Sequence, residues 1–273
     1  MKIDTHQHFW KYHPVKDGWI PDEMSQIRKD FLPKDLNPLL ESNDITGCVA
    51  VQAAASVDET NFLLKLASRN ALILGVVGWV DFTDPDLRVQ LKHFSNYPKF
   101  KGVRHLLQAY PAEYMLQANF IKGMSIFQEF NLSYDLLVSQ DQLPQTIELV
   151  KRFPDQKFVL DHMAKPEISN GVSKNWKQLI NELAENENVF CKLSGFLTET
   201  ASFIWEPESF FPFFEVCLQA FGEDRLMYGS DWPVCLAAGK YEDTLENTKR
   251  FFSNNEGVLH KVMGHNAVQF YQL

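Results

Sequence analysis

Eight short runs of β-branched and other apolar residues recur at nearly even intervals along the 273-residue chain, with segments of helical periodicity between them. The runs are Lys2 to His6, Gly47 to Ala53, Ile73 to Val80, Lys101 to Leu106, Leu132 to Val138, Lys157 to Asp161, Val189 to Leu193 and Arg225 to Tyr228. Stretches such as CVAVQ, ILGVVGWV and FVLDH are apolar almost throughout, which suits strands buried on both faces rather than a sheet with one wet side. Helices are expected over Asp58 to Arg69, Asp84 to Phe94, Gln117 to Phe130, Asp141 to Phe153, Ser173 to Asn186 and Tyr241 to Phe252. Asp84, before Pro85, is expected to cap one of them and Ser173 another. Strands that alternate with helices join through right-handed crossovers into a parallel sheet, and eight such repeats at this length predict a closed α/β barrel, a (β/α)8 TIM barrel. No Gly/Ser/Pro-rich linker or shift of composition interrupts the pattern, so residues 1–273 are expected to form a single domain. Phe9 to Pro38, rich in aromatics and proline, is too long for an ordinary βα connection and is expected to be a long first loop over the barrel mouth.

Charge narrows the partners. With 26 basic and 35 acidic residues the net charge is −9, which argues against a broad attraction to nucleic acid or to an anionic membrane surface. No apolar run approaches the roughly 20 residues of a membrane helix, and MKIDTHQHFW carries no signal-peptide pattern, so a cytoplasmic protein is expected. Cys48, Cys191, Cys217 and Cys235 form no C-x-x-C pair and read as reduced, packed thiols. A small-molecule substrate and a monomer or small homo-oligomer follow.

The chemistry concentrates at strand ends. His6 and His8 flank Gln7, and side chains two apart on a strand share a face, so both imidazoles can converge on one point. His162 follows the sixth run and Asp231 the eighth. Each alone can be a hydrogen-bonded packing or capping residue. Together they lie where barrel enzymes assemble sites from several strands.

DTHQHFW, GVRHLLQ, LDHMAKP, CKLSG and YGSDWP occur in this order along the chain. In these motifs the chain resembles the amidohydrolase-superfamily lactonases, the group that includes L-fuconolactonase, L-rhamnonolactonase and pyrone-dicarboxylate lactonase, and more distantly the aminocarboxymuconate-semialdehyde decarboxylases. The resemblance implies a (β/α)8 hydrolase that opens a small sugar-acid lactone of the L-fuconolactone or L-rhamnonolactone type. It implies Asp231 as the general base toward water, and His6, His8 and His162 as a cluster that holds a divalent metal or stabilises the carbonyl as it becomes an oxyanion. His6, His8, His162 and Asp231 would suit a single zinc ion, which lactone chemistry permits without requiring. The seventh strand reads VFCKLSG, with Lys192 and no histidine, which speaks against a two-metal site.

Arg104 can bind substrate oxygens or stitch two strands by a salt bridge, and His105 beside it shares that choice. Lys192 can supply positive charge near the carbonyl or pair internally with Asp231 or another carboxylate. Gln52 can bond a hydroxyl or be satisfied by backbone. Trp10, Trp19 and Trp232 can stack on a ring or cover the barrel mouth. Of Tyr134 and Asp135, alternation turns only one inward. Two other readings share these residues: an obligately zinc-dependent decarboxylase, and a non-catalytic barrel that binds a sugar acid.

Overall fold

Full burial of the apolar runs on both faces requires helices outside and side chains inside, and the computed structural model, which describes residues 1–273, has that arrangement. The strands are β1 (Ile3–Gln7), β2 (Gly47–Val51), β3 (Ile73–Gly78), β4 (Phe100–His105), β5 (Ser133–Leu136), β6 (Phe158–Leu160), β7 (Val189–Leu193) and β8 (Leu226–Tyr228). They form one parallel sheet in sequential order. Past the end of β8 the sheet meets β1: Gln7 bridges Trp232, the His8 amide donates to the Trp232 carbonyl at 2.7 Å, and the Asp231 amide donates to the His6 carbonyl at 2.8 Å. The seam that nearly closes the barrel is thus made by residues beside two of the candidate site groups.

Helices pack outside: α1 (Pro33–Ser42), α2 (Val57–Arg69), α3 (Leu87–Phe94), α4 (Ala118–Phe127), α5 (Leu143–Arg152), α6 (Lys174–Ala184), α7 (Phe211–Phe221) and α8 (Tyr241–Phe251). Two short helices, α9 (Glu256–His260) and α10 (Asn266–Tyr271), end the chain. Ser173 caps α6 by accepting the Trp176 amide at 3.1 Å. Asp84 does not cap α3. It closes a turn onto the Asp86 amide at 2.7 Å, and the helix starts three residues further on. The long first loop ends sooner than its composition suggests, because Pro33 opens α1, and Trp10 pairs with Phe31 across its base. α7 escapes a periodicity reading since FPFFEVCLQAF is apolar almost all round. No helix is long and apolar enough to cross a membrane.

Inside the barrel, Ile3, Val49, Val51, Val77, Val159 and Met227 form a small apolar cluster against Phe270 and Tyr271 of α10. Above it the interior turns polar. Pairing of β1 with β2 shifts between Asp4 and Gln7, and this irregularity lets both Ile3 and His6 face inward although strict alternation separates them.

Candidate active site

The polar layer begins with β1. His6 and His8 leave its C-terminal end, and Asp231 enters from beyond β8 with a left-handed backbone, φ 57°. Its Oδ1 lies 3.2 Å from His8 Nε2, 3.7 Å from His6 Nε2 and 4.0 Å from His162 Nε2. Three imidazoles therefore crowd one carboxylate oxygen, and no hydrogen bond or ion pair within the protein reaches Oδ2. His8 Nδ1 donates to the Val51 carbonyl at 2.8 Å. A carbonyl only accepts, so in a neutral His8 the Nε2 lone pair faces the Asp231 oxygen, and two acceptors at this distance require a proton or a cation between them.

His162 is set by its neighbours. It sits at φ 55°, and its Nδ1 is 2.8 Å from Ser194 Oγ. Gly195, at φ 67°, lies beneath the ring, where a Cβ would come within 2.4 Å of Nδ1. Ser194 and Gly195 of CKLSG thus serve a histidine in the turn that follows the adjacent strand β6. Burial lowers the His162 imidazole to about 4, against the opposing pull of Asp231 and Asp161. Burial likewise lowers His6. For Asp231, burial alone would push the carboxyl up, but His162, His8 and His6 outweigh it and hold it well below the usual carboxylate range. It is ionised at neutral pH, where a neutral His162 acts on it as a dipole.

Beneath this cluster lies a buried ion layer. Arg104 Nη1 is 3.1 Å from Asp161 Oδ2 and 3.1 Å from His6 Nε2. Lys192 Nζ donates to Asp135 Oδ2 at 2.5 Å, and stands 3.1 Å from Asp161 Oδ1 and 3.2 Å from His6 Nδ1. The Tyr271 hydroxyl of α10 donates to Asp135 at 3.0 Å. Burial pushes Asp135 up to about 6 against the pull of Lys192. Burial opposes the charge on Asp161 too, yet His6, Lys192 and Arg104 hold its carboxyl well below the ordinary range.

His8, Arg104, His162 and Asp231 open onto a cavity of about 200 Å³ whose wall includes Trp19, Gln108, Lys165 and Glu199. Several residues expected at the substrate stay out of it. Lys192 is fully buried and serves Asp135, so it is an internal ion-pair partner and not a carbonyl donor. His105 alternates outward from Arg104, into a layer of Phe82, Phe120 and Tyr134, with Tyr134 Oη 3.0 Å from its Nδ1. Gln52, just past the end of β2, reaches across β3 to β4: its side-chain amide donates to the Arg104 carbonyl at 3.0 Å, and its backbone carbonyl accepts from the Arg104 guanidinium. Trp232 is packed against Phe9 and Phe31, and Trp10 gives its indole N–H to the Lys29 carbonyl, so neither stacks on a ligand. Asp135 turns inward and Tyr134 outward, as alternation requires. Sequence reasoning misses Asp161, although a carboxylate ending the apolar FVL run is a signal, because a buried aspartate is rare without a cationic partner.

The donor set suits one ion. His6, His8 and Asp231 bring a ligand atom each to within 4.8 Å of one another, and the facing lone pair and carboxylate of His8 and Asp231 call for positive charge. Arg104 competes for the lone pair of His6 Nε2. A second group, His6, Asp161 and His162, shares His6 and already holds Arg104 and Lys192 on Asp161, so a second cation does not fit.

The family model described as Amidohydrolase matches residues 3–273. An L-fucono-1,5-lactonase of Burkholderia ambifaria is 33% identical over 283 residues, covering 100% of this chain and 96% of the relative. One of Burkholderia multivorans is 37% identical over 262 residues, covering 92% and 88%. A solved amidohydrolase from Burkholderia multivorans with bound zinc superposes with a TM-score of 0.95 at 35% identity, covering 100% of this chain and 99% of the other.

Proposed function

The chain belongs to the amidohydrolase family, and on that premise we propose that it hydrolyses the ring ester of a small sugar-acid lactone of the L-fucono-1,5-lactone or L-rhamnonolactone type. One observation carries the reading: an ionised, largely buried Asp231 opens onto the cavity with one oxygen facing the three imidazoles and the other without a protein partner. A carboxylate so placed can take a proton from a water within hydrogen-bond reach.

In the mechanism, Asp231 accepts a proton from water as the water oxygen attacks the ring carbonyl carbon. The carbonyl electron pair moves onto its oxygen. A neutral His162 whose Nδ1 accepts from Ser194 carries its remaining proton on Nε2 and can donate to that oxyanion, and the permanent cation of Arg104 lines the same cavity. Collapse of the tetrahedral intermediate breaks the ring carbon–oxygen bond, and Asp231 returns the proton to the leaving alkoxide. The Lys192 ion pairs hold His6 in place, so Lys192 acts as a positioning residue. Bound by His6, His8 and Asp231, a divalent ion such as zinc would supply Lewis-acid polarisation of a carbonyl and a more acidic water.

Asp231→Asn tests the base. Lactone opening followed by acid release is expected to fall by about a hundredfold to ten-thousandfold in kcat, with the variant still folded by circular dichroism. Turnover at the parent rate would remove Asp231 from the chemistry, and carbon dioxide release in place of lactone opening would replace the hydrolase reading with decarboxylation.

A further inference from the structure

Past β6 the chain runs through four successive left-handed residues, His162, Met163, Ala164 and Lys165, at φ 55°, 55°, 59° and 52°. None is glycine, and each such residue costs about 1 kcal/mol or more, so a run of four persists only where surrounding contacts over-determine it. Those contacts are present. The Lys165 amide donates to the His162 carbonyl at 2.8 Å, the Trp176 indole donates to the Met163 carbonyl at 2.9 Å, and Ser194 holds His162. The result of the turn is that His162 and Lys165 line one cavity.

Across from Lys165, the turn after β7 brings in Glu199. Lys165 Nζ and Glu199 Oε1 are 3.0 Å apart, with 28% and 20% of the side chains exposed. Both face the cavity that holds His8, His162 and Asp231. Each cation of this wall is matched, Arg104 by Asp161 and Lys165 by Glu199, and Asp231 adds an unmatched negative charge. A ligand bringing a carboxylate finds no unmatched lysine or arginine. A hydroxyl group suits the pair, since it donates to Glu199 and accepts from Lys165 at the same time, and neighbouring hydroxyls can divide the two roles.

We infer that Lys165 and Glu199 are the specificity pair of this site, reading ring hydroxyls of an uncharged polyhydroxylated lactone and disfavouring lactones that carry a carboxylate. The inference rests on the lactone-hydrolase reading and adds to it the charge class of the substrate and the residues that recognise it. After ring opening the product is itself a carboxylate, which the unmatched charge of Asp231 repels, so the same arrangement favours its release.

The test compares kcat/KM of the full chain and of Lys165→Met and Glu199→Gln on three substrates: L-fucono-1,5-lactone, unsubstituted δ-valerolactone and a carboxylate-bearing pyrone lactone. The parent is expected to prefer the hydroxylated substrate over both others. Each variant is expected to lose about tenfold to hundredfold on it and less than about threefold on δ-valerolactone, so that the preference collapses. Equal losses on both neutral lactones, no loss on the hydroxylated one, or a parent that prefers the carboxylate-bearing substrate would overturn the pair's role while leaving the hydrolase reading intact. A parent that opens none of the three overturns the hydrolase reading and the pair with it. Glu199→Gln keeps the shape of the side chain, so a thermal melt equal to the parent's separates lost recognition from lost folding.

Discussion

At Gly195 one missing methyl group decides where a candidate catalytic ring can sit. Alanine there would put Cβ 2.4 Å from His162 Nδ1 at a backbone φ of 67°, so Gly195→Ala is expected to cost about 1–3 kcal/mol of stability and to lower kcat/KM by displacing the ring, read by urea unfolding and lactone kinetics. His105 makes a different prediction because it lies outside the cavity. Burial lowers its imidazole from 6.5 to about 4, so the unfolded chain binds that proton more tightly. The stability it contributes is present above pH 6.5 and is lost as pH falls toward 4. Between pH 7 and pH 5 the parent should therefore lose about 2 kcal/mol more than His105→Gln in urea unfolding. An equal loss in both would move the acid sensitivity to other groups, with His162 and His6 the next to examine. Arg104 and His105, adjacent in GVRHLLQ, part company here because one strand step turns a side chain from the cavity to the outer apolar layer.

Among the elements, the left-handed turn after β6 has the least local support in its own sequence and the most from its surroundings. Trp176 of α6 reaches it with a single indole N–H on the Met163 carbonyl. Trp176→Phe keeps most of the packing and leaves that carbonyl unpaired, an expected loss of about 1–3 kcal/mol seen as a lower Tm. Since the turn carries His162 and Lys165, kcat/KM should fall as well at temperatures where the variant is fully folded. A lower Tm with unchanged kinetics would mean that Ser194 and the turn's own amide hold the geometry unaided. β1 has a comparable dependence: its irregular pairing with β2 sends Ile3 and His6 to the same interior, while Asp4 takes the amide and hydroxyl of Ser230 in the strand connection that delivers Asp231.

Across the whole molecule, the barrel is an apolar plug below and an ion layer above, joined by the Tyr271 hydroxyl of α10 on Asp135. Lys192 holds that layer together, touching both Asp135 and Asp161. Lys192→Met is expected to cost about 3–5 kcal/mol in urea unfolding, since it leaves carboxylates buried without their cation, and Lys192→Met combined with Asp135→Leu should recover part of that loss. Additive losses would show the two groups to be uncoupled. The eight-strand alternation, the parallel sheet and the positions of His6, His8, His162 and Asp231 at strand ends were legible in the sequence because apolar periodicity reports burial, and burial on both faces leaves few architectures. Local sequence could not say which polar residues meet the cavity and which support it. Lys192, His105, Gln52 and Trp232 have the chemistry to bind a substrate, and Lys165 and Glu199 gave no periodic signal. Pattern along the chain thus determined the barrel and the ends of its strands, whereas the partners of each charge depended on strand register, one pairing shift and a left-handed turn, which arise only when distant segments pack and compete for the same interior space.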